Sequence, residues 1–134
     1  MLEINNLRKV YQNGEVEVEA LKGISLGIDK GEMVSIMGPS GSGKSTLMNL
    51  MGFLDTPTSG SYFLEGNDVS ELEEKKLADL RNNYVGFIFQ QFNLLSKTTV
   101  LHNVEVPLIY AGISKKKRRE IARDLLEQVG LGHR

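Results

Sequence analysis

The chain has 134 residues, with sixteen basic and seventeen acidic side chains and a net charge of −1. That length holds one domain, and the balance of charge excludes a protein dominated by contacts to nucleic-acid phosphates, which carries a strong basic excess. The absence of cysteine excludes disulfides, thiolate metal sites and a cysteine nucleophile, and the two histidines, His102 and His133, are too far apart in sequence to suggest a zinc cluster. Hydrophobic residues at 40% and charged residues at 25% place the chain among folded globular proteins. No apolar run reaches the roughly 18 residues needed to span a bilayer. Met1-Leu2-Glu3-Ile4 lacks the basic-then-apolar pattern of a secretory signal, so the expectation is a cytosolic protein that reaches a membrane only through a partner.

Strands are expected first. Leu2, Ile4 and, after a slip of one residue, Leu7 alternate. Val16, Val18 and Ala20 alternate with Glu15, Glu17 and Glu19, the pattern of a strand with one wet face, and Ile24, Leu26 and Ile28 continue the period of two. Asn13-Gly14 and Asp29-Lys30-Gly31 are turn signals. Met33-Val34-Ser35-Ile36-Met37 is a compact apolar run of the kind buried on both faces of a parallel sheet. From Lys44 a helix is expected, with Leu47, Leu50 and Met51 on one face. Pro57 and Gly60 mark a loop, and Tyr62-Phe63-Leu64 a short strand turning at Gly66-Asn67-Asp68. Ser70 and Glu73 have the spacing of a capping box for a helix carrying Leu77 and Leu80. Val85 to Phe89 reads as a further strand. A helix from near Thr99 carries Val100, Val104 and Leu108, and Pro107 should kink or shorten it. A last helix from about Ser114 puts Ile121, Leu125 and Val129 on one face and ends at Gly130. The class is mixed α/β.

Gly38-Pro39-Ser40-Gly41-Ser42-Gly43-Lys44-Ser45-Thr46 fits Gly-x-x-x-x-Gly-Lys-Ser/Thr in full. From average residue usage, the four fixed positions match by chance at on the order of 10⁻⁵ to 10⁻⁴ per starting point. Glycines let the backbone curl with several N–H groups facing one concavity, a nest for phosphate oxygens. A helix starting at Lys44 adds the positive end of its dipole. Lys44 can bring its ammonium to the β- and γ-phosphates of a nucleotide, and Ser45 can offer its hydroxyl to Mg²⁺. The plainer alternative is a glycine-rich strand-to-helix turn without a ligand.

Beyond this loop the chain resembles the ATP-binding subunits of ABC transporters. Leu54-Asp55-Thr56-Pro57-Thr58-Ser59-Gly60 looks like the linker after their first helix, and Val85-Gly86-Phe87-Ile88-Phe89-Gln90-Gln91-Phe92-Asn93-Leu94-Leu95 like their Q-loop segment. Phe-Gln-Gln-Phe-Asn-Leu-Leu, with Ala20 to Ser25 and Met33 to Leu47, most resembles the branch containing lipoprotein-releasing and macrolide-exporting transporters. The resemblance covers essentially the whole chain. It implies a partial P-loop NTPase core, in which 1–32 form an antiparallel β region, 33–98 run from phosphate loop to Q-loop, and 99–134 begin a helical subdomain. It implies ATP and Mg²⁺ as ligands, held by Gly38, Ser40, Gly41, Ser42, Gly43, Lys44, Ser45 and Thr46, the last near the α-phosphate. Tyr11, in Arg8-Lys9-Val10-Tyr11, matches the aromatic residue that stacks on adenine; taken alone, a tyrosine before an Asn-Gly turn is more often plain packing. Gln90 matches the glutamine that contacts Mg²⁺ or the attacking water, with Gln91 the competing candidate. The segment Phe92–Tyr110 matches the docking region for a transmembrane permease subunit, although Phe92, Leu94 and Leu95 could equally be core. A second ATP-binding subunit completes the family's dimer. No nucleic-acid partner is implied, and the implied location is the inner face of the cell membrane.

Several family features are missing. No Asp-Glu pair occurs anywhere, and Phe53-Leu54-Asp55 follows Lys44 too soon to serve as the acidic strand end that organises Mg²⁺ and water. The Leu-Ser-Gly-Gly-Gln signature and the switch histidine are also absent. The chain therefore reads as the N-terminal portion of a subunit that binds ATP with little or no turnover alone, and that is weakly stable or self-associating. The alternative is a non-catalytic nucleotide-binding or interaction fragment; a P-loop nucleotide kinase is disfavoured by the sheet preceding the loop. Lys115-Lys116-Lys117-Arg118-Arg119 reads as a solvated face balanced by Glu120 and Asp124.

Overall fold

A computed structural model describes residues 1–134. The chain forms two compact units, Met1–Arg81 and Asn82–Arg134.

The first unit is built on an antiparallel sheet of order β2-β1-β3-β4, comprising β1 (Leu2–Asn13), β2 (Val16–Ile28), β3 (Ser59–Leu64) and β4 (Asn67–Asp68). β1 and β2 form a long hairpin closed at Asn13-Gly14, where Gly14 has φ 64°. The expected slip in β1 is a bulge. The register breaks between Ile4 and Leu7 against β2 and between Asn5 and Arg8 against β3. Asn6 takes φ 48°, and its N–H donates to Ser25 Oγ at 2.8 Å. One extra residue turns Ile4 and Leu7, three apart in sequence, to the same side, where both are fully buried.

The helix α1 (Lys44–Met51) lays Leu47 and Leu50 into this core. It ends in a Schellman motif: Leu54 N–H donates to Asn49 O at 2.8 Å and Phe53 N–H to Leu50 O at 3.1 Å. The left-handed position, usually glycine, is Phe53 at φ 58°. Its ring is buried and stacks on Tyr62, centroids 5.2 Å apart, while its carbonyl accepts from Arg81. Packing holds a conformation that an isolated phenylalanine disfavours. Tyr62 in turn donates from its hydroxyl to Met51 O at 2.8 Å, and burial raises its pKa well above the ordinary phenol value.

Ser70 does not cap a helix. Its hydroxyl accepts from Tyr62 N–H at 2.7 Å and donates to Asp68 Oδ1 at 2.6 Å, so it fastens the end of β4 to β3 instead. The helix α2 (Glu74–Tyr84) starts later, with the Glu73 carbonyl accepting from Leu77 N–H, and buries Leu77.

Two expected strands are not formed. Met33–Met37 and Val85–Phe89 join no ladder. Met33 is 97% exposed and Ile88 fully so. Both runs are apolar because they suit a sheet interior, but an apolar strand needs neighbours on each side, and no other segment of the chain pairs with them. Phe87 and Phe89 still share a side, their rings stacked 5.4 Å apart. Val16 and Val18 are also exposed, with no layer over that end of the hairpin. Gly60, read as loop, lies inside β3.

In the second unit, α3 (Val100–Tyr110) and α4 (Lys115–Gln128) pack together. Thr99 caps α3, its hydroxyl accepting from His102 N–H at 3.1 Å. Pro107 sits in the last turn and the helix ends three residues later. Gly112 and Gly130, at φ 70° and 75°, close α3 and α4 by the same Schellman arrangement. The buried stripe of α4 is Ala122 and Leu126, one step round from the expected face; Leu125 and Val129 are exposed. Glu105 is buried on α3. Arg118 Nε and Arg119 Nε lie 3.9 and 3.7 Å from Glu105 Oε1, and His102 Nδ1 lies 3.4 Å from Oε2. Lys115, Lys116 and Lys117 are exposed, as expected of a solvated face, while Arg118 and Arg119 turn toward Glu105.

No helix is long and apolar enough to cross a membrane.

The tightest backbone approach is at Gly60, φ 93°, where an added Cβ would lie 2.4 Å from Asn6 O in the β1 bulge. Gly60→Ala should therefore destabilise the first unit by about 3 kcal/mol, from left-handed strain and displacement of the bulge. Urea unfolding measures this, and a midpoint equal to that of the wild type would contradict it.

Candidate functional site

The loop from Gly38 to Gly43 joins the unpaired 33–37 run to α1. Gly38, Gly41 and Gly43 have φ 158°, 78° and 88°. Gly41 has open space around it, so its requirement is conformational. Gly43 has a second requirement. A Cβ there would lie 2.5 Å from Ala20 O and 2.9 Å from Leu21 Cδ2 in β2. The helix start is pressed onto the hairpin backbone, and Gly43 caps α1 with no side-chain hydrogen bond. The first N–H groups of a helix have no acceptor within it. The opening of α1 therefore offers donors and a positive dipole end in an exposed loop.

Lys44 folds back over this loop. Its Nζ donates to Pro39 O at 2.6 Å and lies 3.4 Å from Ser42 Oγ. The ammonium thus lies across the loop. Ser40 and Ser45 are exposed and Thr46 half-buried. These are donors that suit a polyphosphate: the free N–H groups of a helix start, a cation and hydroxyls.

Tyr11 lies near the far end of β1, 38% exposed. Its hydroxyl donates to Asp55 Oδ2 at 2.7 Å. Lys9, two residues earlier on the same face of the strand, donates from Nζ to Asp55 Oδ1 at 2.6 Å and to Thr56 O at 2.7 Å. That ammonium is also 4.9 Å from the centre of the Tyr11 ring. Thr58 holds the segment in place: its N–H donates to Arg8 O and its hydroxyl accepts from Val10 N–H, both at 2.9 Å. Burial and then the Asp55 hydrogen bond raise the Tyr11 phenol above its ordinary pKa, with the Thr46 hydroxyl acting the other way.

Sequence reasoning missed Asp55 and Lys9 as partners of this tyrosine. The i, i+2 spacing of Lys9 and Tyr11 is a visible signal that both share a face; nothing local shows that Asp55 meets them.

Gln90 and Gln91 lie in the second unit, both exposed, in a bend between Phe89 and Phe92. Phe92 is 93% exposed, and Leu94 and Leu95 are exposed too, so none is core. The turn from Leu95 to Thr99 is organised by Asn103. Its Oδ1 accepts from Leu95 N–H at 2.8 Å, and its Nδ2 donates to Leu95 O, Thr98 Oγ1 and Thr99 O.

Burial alone would raise the pKa of Asp55. The hydrogen bonds from Lys9, Tyr11 and Thr56 N–H, with the charge of Lys9, outweigh it and hold the carboxyl below the ordinary carboxylate range. The folded chain then gives up this proton more readily than the unfolded one. The stabilisation is complete above the ordinary carboxylate pKa and is lost as pH falls through the folded value. Asp55→Asn should flatten the rise of stability as pH climbs through the acid range toward the ordinary carboxylate pKa. Urea midpoints across that range test this, and parallel slopes for variant and wild type would contradict it.

The family model described as "ABC transporter" matches residues 21–134. The chain is 54% identical over all 134 residues to an uncharacterized ABC transporter ATP-binding protein, YknY, of Bacillus subtilis, spanning 58% of that protein. It is likewise 54% identical to the macrolide export ATP-binding/permease protein MacB of Salmonella choleraesuis, spanning 21% of it. A solved ATP-binding cassette, dimeric and bound to ADP and phosphate in a post-hydrolysis state, superposes with a TM-score of 0.85 at 44% identity. That match covers 95% of this chain and 56% of the cassette.

Proposed function

The chain belongs to the ABC transporter family, and we propose that it forms the nucleotide-gripping part of an ATP-binding cassette that powers export through a membrane permease. The observation that carries this is the phosphate loop: three glycines in an exposed curl, a helix start held against β2 at Gly43, and the Lys44 ammonium lying across the opening.

In this reading the N–H groups of Ser40 to Thr46 hold the β-phosphate, with Gly38 admitting the chain's reversal at the loop entry. Lys44 exchanges its contact with Pro39 O for the β- and γ-phosphate oxygens. This substitutes an anionic acceptor for a neutral carbonyl. Thr46 lies toward the α-phosphate, and Tyr11 stacks on the adenine ring, contributing apolar contact without reading the base edge. Ser45 is the group of the first unit that would hold Mg²⁺; when bound, the cation would neutralise charge on the β- and γ-phosphates. A neutral amide suits the Gln90 position, because its oxygen faces a metal or accepts from water.

The exposed apolar side chains of Phe92, Leu94, Leu95 and Tyr110 support Phe92–Tyr110 as the permease contact. Such a contact would hold the chain at the inner face of the membrane. Export is supported by the name of the Salmonella relative, and a second cassette as partner by the dimeric state of the solved one. With no Asp-Glu pair to organise water, this chain binds ATP with turnover near background.

Calorimetric titration of ATP with Mg²⁺ tests the reading. Lys44→Ala should weaken binding about 10- to 100-fold, the scale of one charged hydrogen bond, without loss of helix content. Equal affinity in wild type and variant would overturn the assignment. Turnover matching that of an intact cassette, and lost in Lys44→Ala, would overturn the claim of binding without hydrolysis.

A further inference from the structure

The proposed site has two ends, phosphate and base, and the contacts of Asp55 join them. Asp55 follows α1 by four residues, and its two carboxylate oxygens face different partners on β1: Oδ1 the Lys9 ammonium, Oδ2 the Tyr11 hydroxyl. Oδ1 also accepts from its neighbour's N–H, Thr56, at 2.8 Å. The carboxylate is therefore held from three directions, and the side chains of Lys9 and Asp55 are only 12% and 24% exposed. Lys9 is tied a second time, to Thr56 O. The same ammonium sits by the Tyr11 ring. A tyrosine ring otherwise free to swing about two torsions is thus pinned at its hydroxyl and steadied on one side.

We propose that Asp55 is a positioning residue for nucleotide binding: by clasping Tyr11 and Lys9 together it fixes the Tyr11 ring at a set place relative to the phosphate loop, with its uncovered side presented to a purine. The inference rests on the reading of Tyr11 as the base-stacking residue. Its physical content is preorganisation. A side chain already immobile loses no rotamer freedom when the base arrives, and each such side chain otherwise costs about 0.5–1.5 kcal/mol on binding. The anchor lies just past the Schellman end of α1, and α1 begins at the phosphate loop. One eight-residue helix therefore sets the spacing between phosphate grip and base platform.

The consequence is selective. Loss of the clasp should weaken ligands that carry a base and spare those that do not. Titrating ATP and inorganic tripolyphosphate into the same chain separates the two. Asp55→Ala should weaken ATP about tenfold, the scale of an unpinned side chain plus a lost hydrogen bond, and change tripolyphosphate less than about twofold. Tyr11→Phe keeps the ring and removes only the pinned oxygen, so it should weaken ATP similarly. Adding Asp55→Ala to Tyr11→Phe should then cost less than the product of the two single effects.

Should Asp55→Ala lose tripolyphosphate as well, the variant has lost its fold, and Tyr11→Phe decides alone: weakened ATP with tripolyphosphate retained supports the clasp, and unchanged ATP overturns it. ATP bound more tightly than tripolyphosphate by the wild type, and equally tightly by Asp55→Ala, overturns the role of Asp55 while leaving the stacking reading intact. ATP bound no more tightly than tripolyphosphate by the wild type overturns the stacking reading, and the proposal with it.

Discussion

The carbonyl of Ala20 occupies the place where a side chain at residue 43 would be. That close approach docks the beginning of α1 onto β2, and with it the whole phosphate loop. Lys44 then projects over the curl, and Leu47 and Leu50, one and two turns on, are buried in the core, as is Leu21. The loop itself contributes little burial. Its shape is held by glycine torsions at one end and by helix packing at the other.

A second chain of support runs from the far end of α1. Phe53 turns the backbone left-handed, stacks on Tyr62 and delivers Asp55 to β1. Tyr62 fastens back to Met51, and Ser70 and Asp68 fasten Tyr62. The hairpin, α1 and β3 thus share one set of contacts. In this unit the elements nearest the proposed ligand are also those that bury the core, which is how a largely exposed loop keeps its geometry.

Much of this was legible in the sequence. The glycine pattern located the loop, Asn13-Gly14 located the hairpin turn, and the odd spacing of Leu2, Ile4 and Leu7 marked the bulge in β1. Thr99 and Gly130 marked helix ends because a hydroxyl acceptor and a residue tolerant of positive φ are local needs. What was illegible depended on partners distant along the chain. Met33–Met37 has the composition of a buried strand, but burial needs neighbouring strands, and this chain pairs it with none. The left-handed residue after α1 is phenylalanine rather than the adjacent Gly52, a choice that only its stacking on Tyr62 explains. Ser70 has the spacing of a cap, yet Tyr62 N–H claims its oxygen first. Nothing local marks Glu105 as buried; two guanidinium groups and a histidine from its surroundings approach it.

Amide NMR of the ¹⁵N-labelled chain under titration with ATP and Mg²⁺ tests the central claim most directly. The account predicts that the N–H signals of Gly41, Gly43, Lys44 and Ser45 shift downfield together as they gain phosphate acceptors, accompanied by displacement of the Tyr11 ring protons. Saturating nucleotide that leaves those four amides in place, or that perturbs only the basic run Lys115–Arg119, would contradict it.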